Sequence, residues 1–195
     1  QPVGSMTIDI GGGTTDIAII SLGGIVVSDS LRIAGNAFDN EIMRFVRNRF
    51  NLLIGDRTAE EIKRKVGAAM LLDGEDDLTI DVRGRDLIDG MPKTVTVASS
   101  QVVEALSSSL DRIGNAARHV LEQSPPELIS DVIERGIVLT GGGSQLRNLD
   151  VFLQRVTGVP VMVADDPSDC VVIGTSRALE MSSLLVDAST ELRRS

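Results

Sequence analysis

The chain of 195 residues has no tryptophan and no tyrosine, and phenylalanine, with four copies, is its only aromatic residue. Proteins that bind single-stranded nucleic acids stack the bases on aromatic side chains, so this composition argues against that function. The formal net charge of −9 argues against a surface that follows a phosphate backbone. No nucleic acid is therefore expected among the partners.

Cysteine and long apolar runs are equally scarce. Cys170 is the only cysteine, which excludes an internal disulfide and a cysteine-based zinc site and suits a reducing cytoplasm. The single histidine, His119, is interpreted as a surface residue. No apolar run approaches the length of a transmembrane helix. The segment 1–5 contains no initiator methionine and no signal region, so we expect the chain to be part of a longer protein.

The sequence does contain two glycine triplets, each directly after a short apolar run. Gly11-Gly12-Gly13 follows the predicted strand 6–10, and Gly141-Gly142-Gly143 follows the predicted strand 136–139. Glycine lets the backbone approach a ligand closely because it has no Cβ. Neither triplet has the spacing of a P-loop or of a dinucleotide-binding loop. The pair predicts one phosphate-bearing ligand that is held from two directions.

The first triplet belongs to the motif Asp9-Ile10-Gly11-Gly12-Gly13-Thr14-Thr15-Asp16. The amides of its glycines and the hydroxyls of Thr14 and Thr15 are suited to bind a phosphate, and Asp16 is suited to order the loop. Asp9, at the end of a buried strand, is suited to hold Mg²⁺ through water, because Mg²⁺ keeps much of its hydration shell. The alternative interpretation is a hairpin with a glycine-rich turn and a capping aspartate.

The second triplet continues into Ser144 and then into an amphipathic helix that is predicted from Leu146 to Val156 and ends at Gly158. A helix N-terminus has free N–H groups and a positive dipole end, so Gly141–Ser144 are predicted to bind a phosphate or a nucleoside. This pattern alone is weak, because many α/β domains contain a strand, a glycine turn and a helix in succession.

Between and around the triplets, the spacing of apolar and turn residues predicts three strands first. Helices and a separate β-hairpin follow, and then helix and strand alternate. Strands are predicted at 6–10, 16–20, 25–33, 78–82, 94–97, 136–139 and 159–163, the first three as an antiparallel meander. Helices are predicted with N-caps at Asn36, Thr58 and Ser124 and over residues 100–122 and 170–186, before a polar tail that is expected to fray.

The two motifs, with a capped helix between them, resemble those of the actin-like ATPase superfamily. Within that superfamily the chain is similar to the MreB family of bacterial actins over most of its length. Sugar kinases and heat-shock chaperone ATPases, the other branches considered, lack its matches at Gly55–Lys63 and Pro125–Leu128. The resemblance also rests on Pro2–Met6, Ile20–Gly24, Arg32–Gly35, Gly55–Glu60 and Glu134–Ile137.

This resemblance implies an α/β fold of the ribonuclease-H-like type, with a mixed sheet, flanking helices and a small inserted α+β subdomain. The family has two such domains with a nucleotide between them, and this chain is similar to the second domain only. Residues 1–35 and 101–180 match its core subdomain, 36–100 match the inserted subdomain, and 181–195 form a C-terminal tail. The first domain is expected to carry a further phosphate loop, the acidic residue that positions water, and the membrane-binding element.

The resemblance also implies roles for individual residues. Asp9 matches the metal-associated aspartate, Gly11–Thr15 match the second phosphate loop, and Gly141–Ser144 match the loop beside the nucleoside. Glu60 and Lys63 match polar residues that reach adenosine, and their i, i+3 spacing puts both on one helix face. From the residues alone, a solvated charge pair is the alternative for these two. The implied cofactors are ATP or ADP and Mg²⁺.

The function implied is that of an actin-like protein that binds ATP and Mg²⁺ between two domains and polymerises into filaments. Such filaments govern rod shape and cell-wall synthesis in the cytoplasm at the inner face of the membrane. The implied partners are further subunits, a RodZ-like adaptor and the cell-wall machinery, with membrane contact only through the first domain. The parent protein is expected to be a slow ATPase, and this chain alone to be inactive. The alternative is a non-catalytic interaction module or a divergent paralogue that docks a partner such as RodZ.

The sequence departs from the family pattern at three places. The family usually has Glu where Asp16 stands, Asp where Asn36 stands, and a run of small residues where Gly174-Thr175-Ser176 stands. Asp16 is one methylene shorter than Glu, and Asn36 lacks a charge. These differences favour a divergent member of the family.

Overall fold

The computed structural model describes residues 3–180, which form a five-stranded sheet of order β3-β2-β1-β7-β8 and a three-stranded sheet of order β4-β5-β6. The predicted helix beyond residue 180 and the polar tail lie outside these residues. The strands are β1 (Gly4–Ile10), β2 (Thr15–Ser21), β3 (Gly24–Leu31), β4 (Leu52–Leu53), β5 (Thr79–Asp86), β6 (Pro92–Ala98), β7 (Ile137–Thr140) and β8 (Val161–Val163). The helices are α1 (Gly35–Phe50), α2 (Asp56–Val66), α3 (Ser99–Glu122), α4 (Pro126–Arg135) and α5 (Leu149–Thr157), and residues 170–180 are also helical.

The larger sheet is mixed and begins with the predicted antiparallel meander, which the structure confirms. β1 pairs antiparallel with β2, and β2 pairs antiparallel with β3. Met6, Ile8 and Ile10 alternate along β1 and are buried, because successive side chains of a strand point to opposite faces and only one face meets the core. β1 also pairs in parallel with β7, which in turn pairs in parallel with β8.

This strand order places the two glycine triplets at the same edge of the sheet. In the parallel register of β1 and β7, Asp9 lies opposite Thr140, so each triplet starts within two residues of this pair. The crevice outside the carboxyl ends of neighbouring strands is where ligands bind in open α/β sheets. The sheet therefore brings together two segments that are far apart in the chain.

The helices extend the core from the larger sheet towards the smaller one. Phe38, Ile42 and Val46 are buried at the helical spacing of four residues on α1, which packs against α2 and α3. Buried residues of both predicted subdomains form one continuous cluster. The three-stranded sheet lies within residues 36–100, and the division into core and inserted subdomain stays a prediction.

Two of the predicted N-caps, Asn36 and Thr58, are wrong. At the starts of α1 and α2 the structure has backbone hydrogen bonds and no side-chain cap. α1 begins at Gly35 with Ala34 at the N-cap and without a side-chain cap. The amides of Gly35 and Asn36, the first two residues of α1, donate to the carbonyls of the first glycine loop. α2 begins at Asp56, and the amide of Thr58 donates to the carbonyl of Gly55, so Thr58 lies within the first turn.

The third predicted cap is displaced by one residue. Pro126 is the first residue of α4, Pro125 stands at its N-cap, and Ser124 lies two residues after the end of α3. The hydroxyl of Ser124 donates to the carbonyl of Val120, 2.7 Å away, and closes the last turn of α3. Proline at the first helical position costs no hydrogen bond, which is why either proline fitted the pattern.

The single histidine and the single cysteine differ in exposure. His119 is exposed on α3, as predicted. Cys170 is half-buried, and its sulfur lies 3.4 Å from the carbonyl oxygen of Asp166. Within residues 3–180, no helix combines the length and the apolar character that crossing a membrane requires.

Candidate functional site

A cavity of about 680 Å³ opens between the two glycine loops and α2. Six of the residues predicted for the site line it: Gly11, Gly12, Glu60, Lys63, Gly142 and Gly143. The structure thus brings together the two glycine loops and the α2 residues that the resemblance implied, while their roles stay predictions. Asp9, Gly13, Thr14, Thr15, Gly141 and Ser144 lie in or beside the same loops but do not line the cavity.

The first glycine loop is ordered by hydrogen bonds within the β1–β2 hairpin and from β3. The amide of Gly11 donates to the carbonyl of Thr14, 3.0 Å away. Asp16 accepts a hydrogen bond from the hydroxyl of Thr14 at 2.9 Å and from the hydroxyl of Ser30 at 2.6 Å. Asp16 therefore orders the loop, as its position in the motif predicts.

Thr15 has a structural role. It is fully buried, and its hydroxyl donates to the carbonyl of Ile33 at 2.6 Å. A threonine hydroxyl has one proton to donate, so that of Thr15 is committed to the protein in this structure. Thr14 is exposed and lies at the tip of the loop.

The first glycine loop is also attached to the start of α1. The amide of Gly35 donates to the carbonyl of Gly11 at 3.1 Å, and the amide of Asn36 donates to the carbonyl of Gly12 at 2.8 Å. The side-chain amide of Asn36 would lie 3.8 Å from a Cβ at Gly12. A shift of the loop would therefore move the start of α1 with it.

Asp9 and the second glycine loop meet directly. The hydroxyl of Thr140 donates to Asp9 Oδ1 at 2.7 Å. Gly141 has a φ of +80°, and a Cβ at this position would lie 2.9 Å from Asp9 Oδ1 and closer still to the carbonyl of Ile10. Glycine is therefore required at position 141 both by the backbone conformation and by the close approach of β1.

The predicted helix after the second triplet is present, but it begins three residues later than the predicted start at Leu146. Gly142–Gln145 form a single 3₁₀ turn, and α5 begins only at Leu149. The hydroxyl of Ser144 donates to the carbonyl of Gly141 at 2.7 Å and closes this turn. The amphipathic pattern from Leu146 indicated a helix correctly, but the chain first forms contacts with the segment after α2 and starts the helix later. Gly158 ends α5 in a left-handed conformation, as predicted.

Lys63 and Glu60 have different partners. Lys63 Nζ donates to the carbonyl of Gly35 at 3.1 Å and to Asp39 Oδ2 at 2.9 Å, and the Lys63 and Asp39 side chains are only 17% and 16% exposed. Glu60 is exposed and lies 3.9 Å from Arg64. The two residues predicted for adenosine thus share the cavity but do not form a pair with each other.

The cavity is lined by a group of cations that sequence reasoning missed, and each of these cations pairs with a carboxylate. Its lining contains four cationic side chains and two carboxylates, although the chain as a whole has a net charge of −9. The signal was present in the run Lys63-Arg64-Lys65 on α2, which looks like an ordinary solvated helix face. The cations are Lys63, Arg64, Lys65 and Arg147, and the carboxylates are Asp39 and Glu60.

A tight metal cage of protein ligands is not found among residues 3–180, where no three histidine, cysteine or acidic side chains are grouped suitably. Asp9 is half-buried near the carboxyl end of the central strand β1 and offers one carboxylate. Mg²⁺ is commonly held by one or two carboxylates, several waters and the phosphates of a substrate. The donor set at Asp9 fits that mode of binding.

The mixed sheet, its flanking helices and the cavity between two glycine loops define an actin-like fold, and structural comparison supports this class. MreB 5 of Spiroplasma citri bound to AMPPNP superposes with a TM-score of 0.90 at 35% identity, covering 95% of this chain and 55% of that one. A MamK double helical filament matches with a TM-score of 0.68 at 25% identity, covering 84% and 50%.

Sequence comparison narrows the class. A family model described as MreB/Mbl protein matches residues 1–186, and the chain belongs to this family. It is 51% identical over 180 residues to the cell shape-determining protein Mbl of Bacillus subtilis, covering 92% of this chain and 54% of the relative. It is 51% identical over 181 residues to the cell shape-determining protein MreB of Escherichia coli, covering 93% and 52%. The chain therefore spans about half the length of these curated relatives.

Proposed function

We propose that this chain forms one wall of a site for ATP or ADP in an actin-like protein that determines cell shape. The observation that carries the proposal is the cavity between two glycine loops, whose lining includes four cationic side chains. A nucleoside triphosphate is a polyanion, and cationic side chains together with exposed backbone amides are suited to bind such a ligand. Support also comes from the Spiroplasma citri MreB 5 structures, which are described as bound to AMPPNP and to ADP.

The parts of the cavity suit different parts of that ligand. Gly11 and Gly12 present backbone without side chains and lie at the carboxyl end of β1, where the phosphates are proposed to bind. Gly142 and Gly143 of the second loop and Glu60 of α2 also line the cavity, and these residues are proposed to contact the nucleoside. Asp9 is proposed to hold Mg²⁺ through water, and the metal would neutralise phosphate charge.

Alanine at position 12 tests the phosphate loop without disturbing the fold. A Cβ at Gly12 would meet its nearest atom of another residue at 3.8 Å, and so would a Cβ at Gly24, which lies on β3 away from the cavity. Neither glycine has a φ between +20° and +160°. Gly12→Ala is expected to weaken binding of AMPPNP with Mg²⁺ by about tenfold or more, and Gly24→Ala to leave it unchanged, since only the first Cβ enters the cavity.

Calorimetric titration of AMPPNP and ADP against the chain measures these affinities. Equal affinity of Gly12→Ala and the unchanged chain would contradict the role of the loop. A chain that binds neither nucleotide but retains a protein partner would favour the alternative, a non-catalytic interaction module.

Hydrolysis and assembly are proposed for the full-length protein only. Phosphoryl transfer depends on positioning and charge stabilisation around the whole ligand, and this chain lines one side of the ligand. We therefore expect no turnover of ATP by these 195 residues alone, and measurable release of phosphate would overturn that expectation. Self-association into filaments is supported by family membership and by the filament form of MamK. Binding of a RodZ-like adaptor and of the cell-wall machinery, and a location at the inner face of the membrane, stay predictions.

A further inference from the structure

The segment between α2 and β5 is joined to the segment between the 3₁₀ turn and α5. The amide of Ala69 donates to the carbonyl of Arg147 at 2.8 Å, and Ala68 and Arg147 form an isolated parallel β-bridge. One side of this junction leads directly into α2, which carries Glu60 and Lys63. The other side leads directly from Gly142 and Gly143, the second glycine loop.

Glu75 is the centre of the side-chain contacts at this junction. Its Oε2 accepts hydrogen bonds from the amide of Leu72 at 2.9 Å and from Asn148 Nδ2 at 2.7 Å. Its Oε1 lies 3.2 Å from Arg147 Nη1, and the Arg147 and Glu75 side chains are 27% and 22% exposed. Hydrogen bonds that involve a charged group are stronger than neutral ones, and this pair is shielded from much of the solvent.

Two further contacts fix the residues that face Glu75. Arg147 Nη2 donates to the hydroxyl of Ser99 at 2.8 Å, and Ser99 is fully buried at the start of α3. Asn148 Nδ2 also donates to the carbonyl of Met70 at 2.9 Å. Asn148 has a φ of +60°, a left-handed conformation that asparagine tolerates better than most residues. The arrangement therefore depends on the residue type at position 148.

We infer that Glu75, Arg147 and Asn148 form a latch that holds the second glycine loop at a set distance from α2. This inference rests on the proposed nucleotide site, because the two elements that the latch joins line the nucleoside side of the cavity. Arg147 also lines that cavity, whereas Glu75 does not. Glu75 is therefore a positioning residue that acts through Arg147 and Asn148.

The substitution Glu75→Gln tests the latch, and Asp86→Asn is its matched control. Glutamine keeps the size of the side chain and an oxygen for the Leu72 amide but removes the charge. Asp86 likewise accepts a backbone hydrogen bond, from Ile88 at 2.8 Å, and pairs with a cation, Lys93, at 2.9 Å. It lies at the β5–β6 turn and does not line the cavity.

Two measurements on the whole chain are required. Amide hydrogen exchange at Leu72 and Ala69 reports local opening of the latch. Titration with ATP and with inorganic tripolyphosphate separates the nucleoside side of the cavity from the phosphate side. Glu75→Gln is expected to speed exchange at both amides by about tenfold and to weaken ATP binding several-fold, with tripolyphosphate affinity unchanged. Asp86→Asn is expected to change none of these quantities.

A second variant keeps the test independent of Glu75. Asn148→Gly removes the side-chain amide, and glycine adopts the required φ without strain, so it is expected to act in the same direction as Glu75→Gln. The inference is overturned if both variants leave exchange at Leu72 and Ala69 unchanged, or if ATP and tripolyphosphate affinities fall equally. Failure of the unchanged chain to bind ATP would contradict the proposed function instead. In that case the change in hydrogen exchange at Ala69 caused by the two variants would by itself show whether the latch exists.

Discussion

Lys63 Nζ lies 2.9 Å from both carboxylate oxygens of Asp39, and it also donates to the carbonyl of Gly35. Since the amide of Gly35 donates to Gly11, one cation connects α2 to the first glycine loop through the start of α1. Lys63 therefore has a structural partner in addition to the adenosine contact that the family resemblance implies. The two roles make different predictions for substitution.

Replacement of Lys63 by methionine and of Asp39 by asparagine separates these roles. Each single variant is expected to destabilise the chain by about 1–2 kcal/mol, because each leaves a largely buried group without its charged partner. The double variant is expected to cost less than the sum of the two, with a coupling of about 1 kcal/mol in denaturant unfolding. If Lys63 also contacts adenosine, Lys63→Met weakens ATP binding more than Asp39→Asn does. Additive effects on stability would show that the ion pair contributes nothing.

Gly141 and Gly158 both have positive φ, at +80° and +73°, but only a Cβ at Gly141 would meet other atoms within 4 Å. Gly158→Ala is expected to cost about 1–2 kcal/mol, the penalty for an ordinary residue in a left-handed conformation. Gly141→Ala adds overlap with Asp9 and Ile10 and is expected to cost about 3 kcal/mol or more. Thermal unfolding of both variants checks that Gly141→Ala loses more stability than Gly158→Ala. Equal losses of stability would mean that β1 and the second glycine loop separate easily.

Thr15 and Thr14 are neighbours with opposite environments, and valine at each position distinguishes them. Thr15→Val leaves the buried carbonyl of Ile33 without its donor at 2.6 Å and is expected to cost about 1–2 kcal/mol. Thr14 is exposed, so Thr14→Val is expected to stay within about 0.5 kcal/mol. Urea unfolding measures both, and a larger loss at Thr14 than at Thr15 would refute this assignment.

Stability is expected to fall in acid partly because of Glu75. The hydrogen bond from the Leu72 amide, then the one from Asn148 and the charge of Arg147, hold the pKa of Glu75 below its ordinary value of 4.5. A carboxylate with a lower pKa in the folded state stabilises the fold at pH values above the unfolded pKa. That contribution disappears as the pH falls from about 4.5 through the folded pKa.

Melting temperature measured between pH 6 and pH 3 tests this expectation. The unchanged chain is expected to lose stability more steeply below pH 4.5 than Glu75→Gln, which has no proton to take up at this position. Hydrogen bonds from Ser100 and Ile88 also lower the pKa values of Asp77 and Asp86, so Glu75→Gln removes only part of the slope. Identical slopes for the two chains would contradict the contribution of Glu75.

Much of the fold followed from local pattern. The strand that precedes each glycine triplet, the meander and the long helix α3 were predicted, because apolar periodicity and glycine turns act over a few residues. The sequence also predicted that the two triplets hold one ligand, and the structure places both at one cavity. Helix starts were less accurate, since α1 begins before Asn36 and the amides of Gly35 and Asn36 donate to the carbonyls of Gly11 and Gly12.

The amino-acid sequence by itself determined the family, the order of the predicted strands and helices though not the two-residue strand β4, and the positions of the two glycine loops, because these depend on motifs of a few adjacent residues. Only the tertiary structure decided which charges meet. Lys63 and Asp39 are 24 residues apart, and Asn148 and Glu75 are 73 apart. No local period relates residues at such separations. In the sequence each charged side chain is therefore interpreted as solvated, and its partner is seen only when α1, α2 and the two loops are packed together.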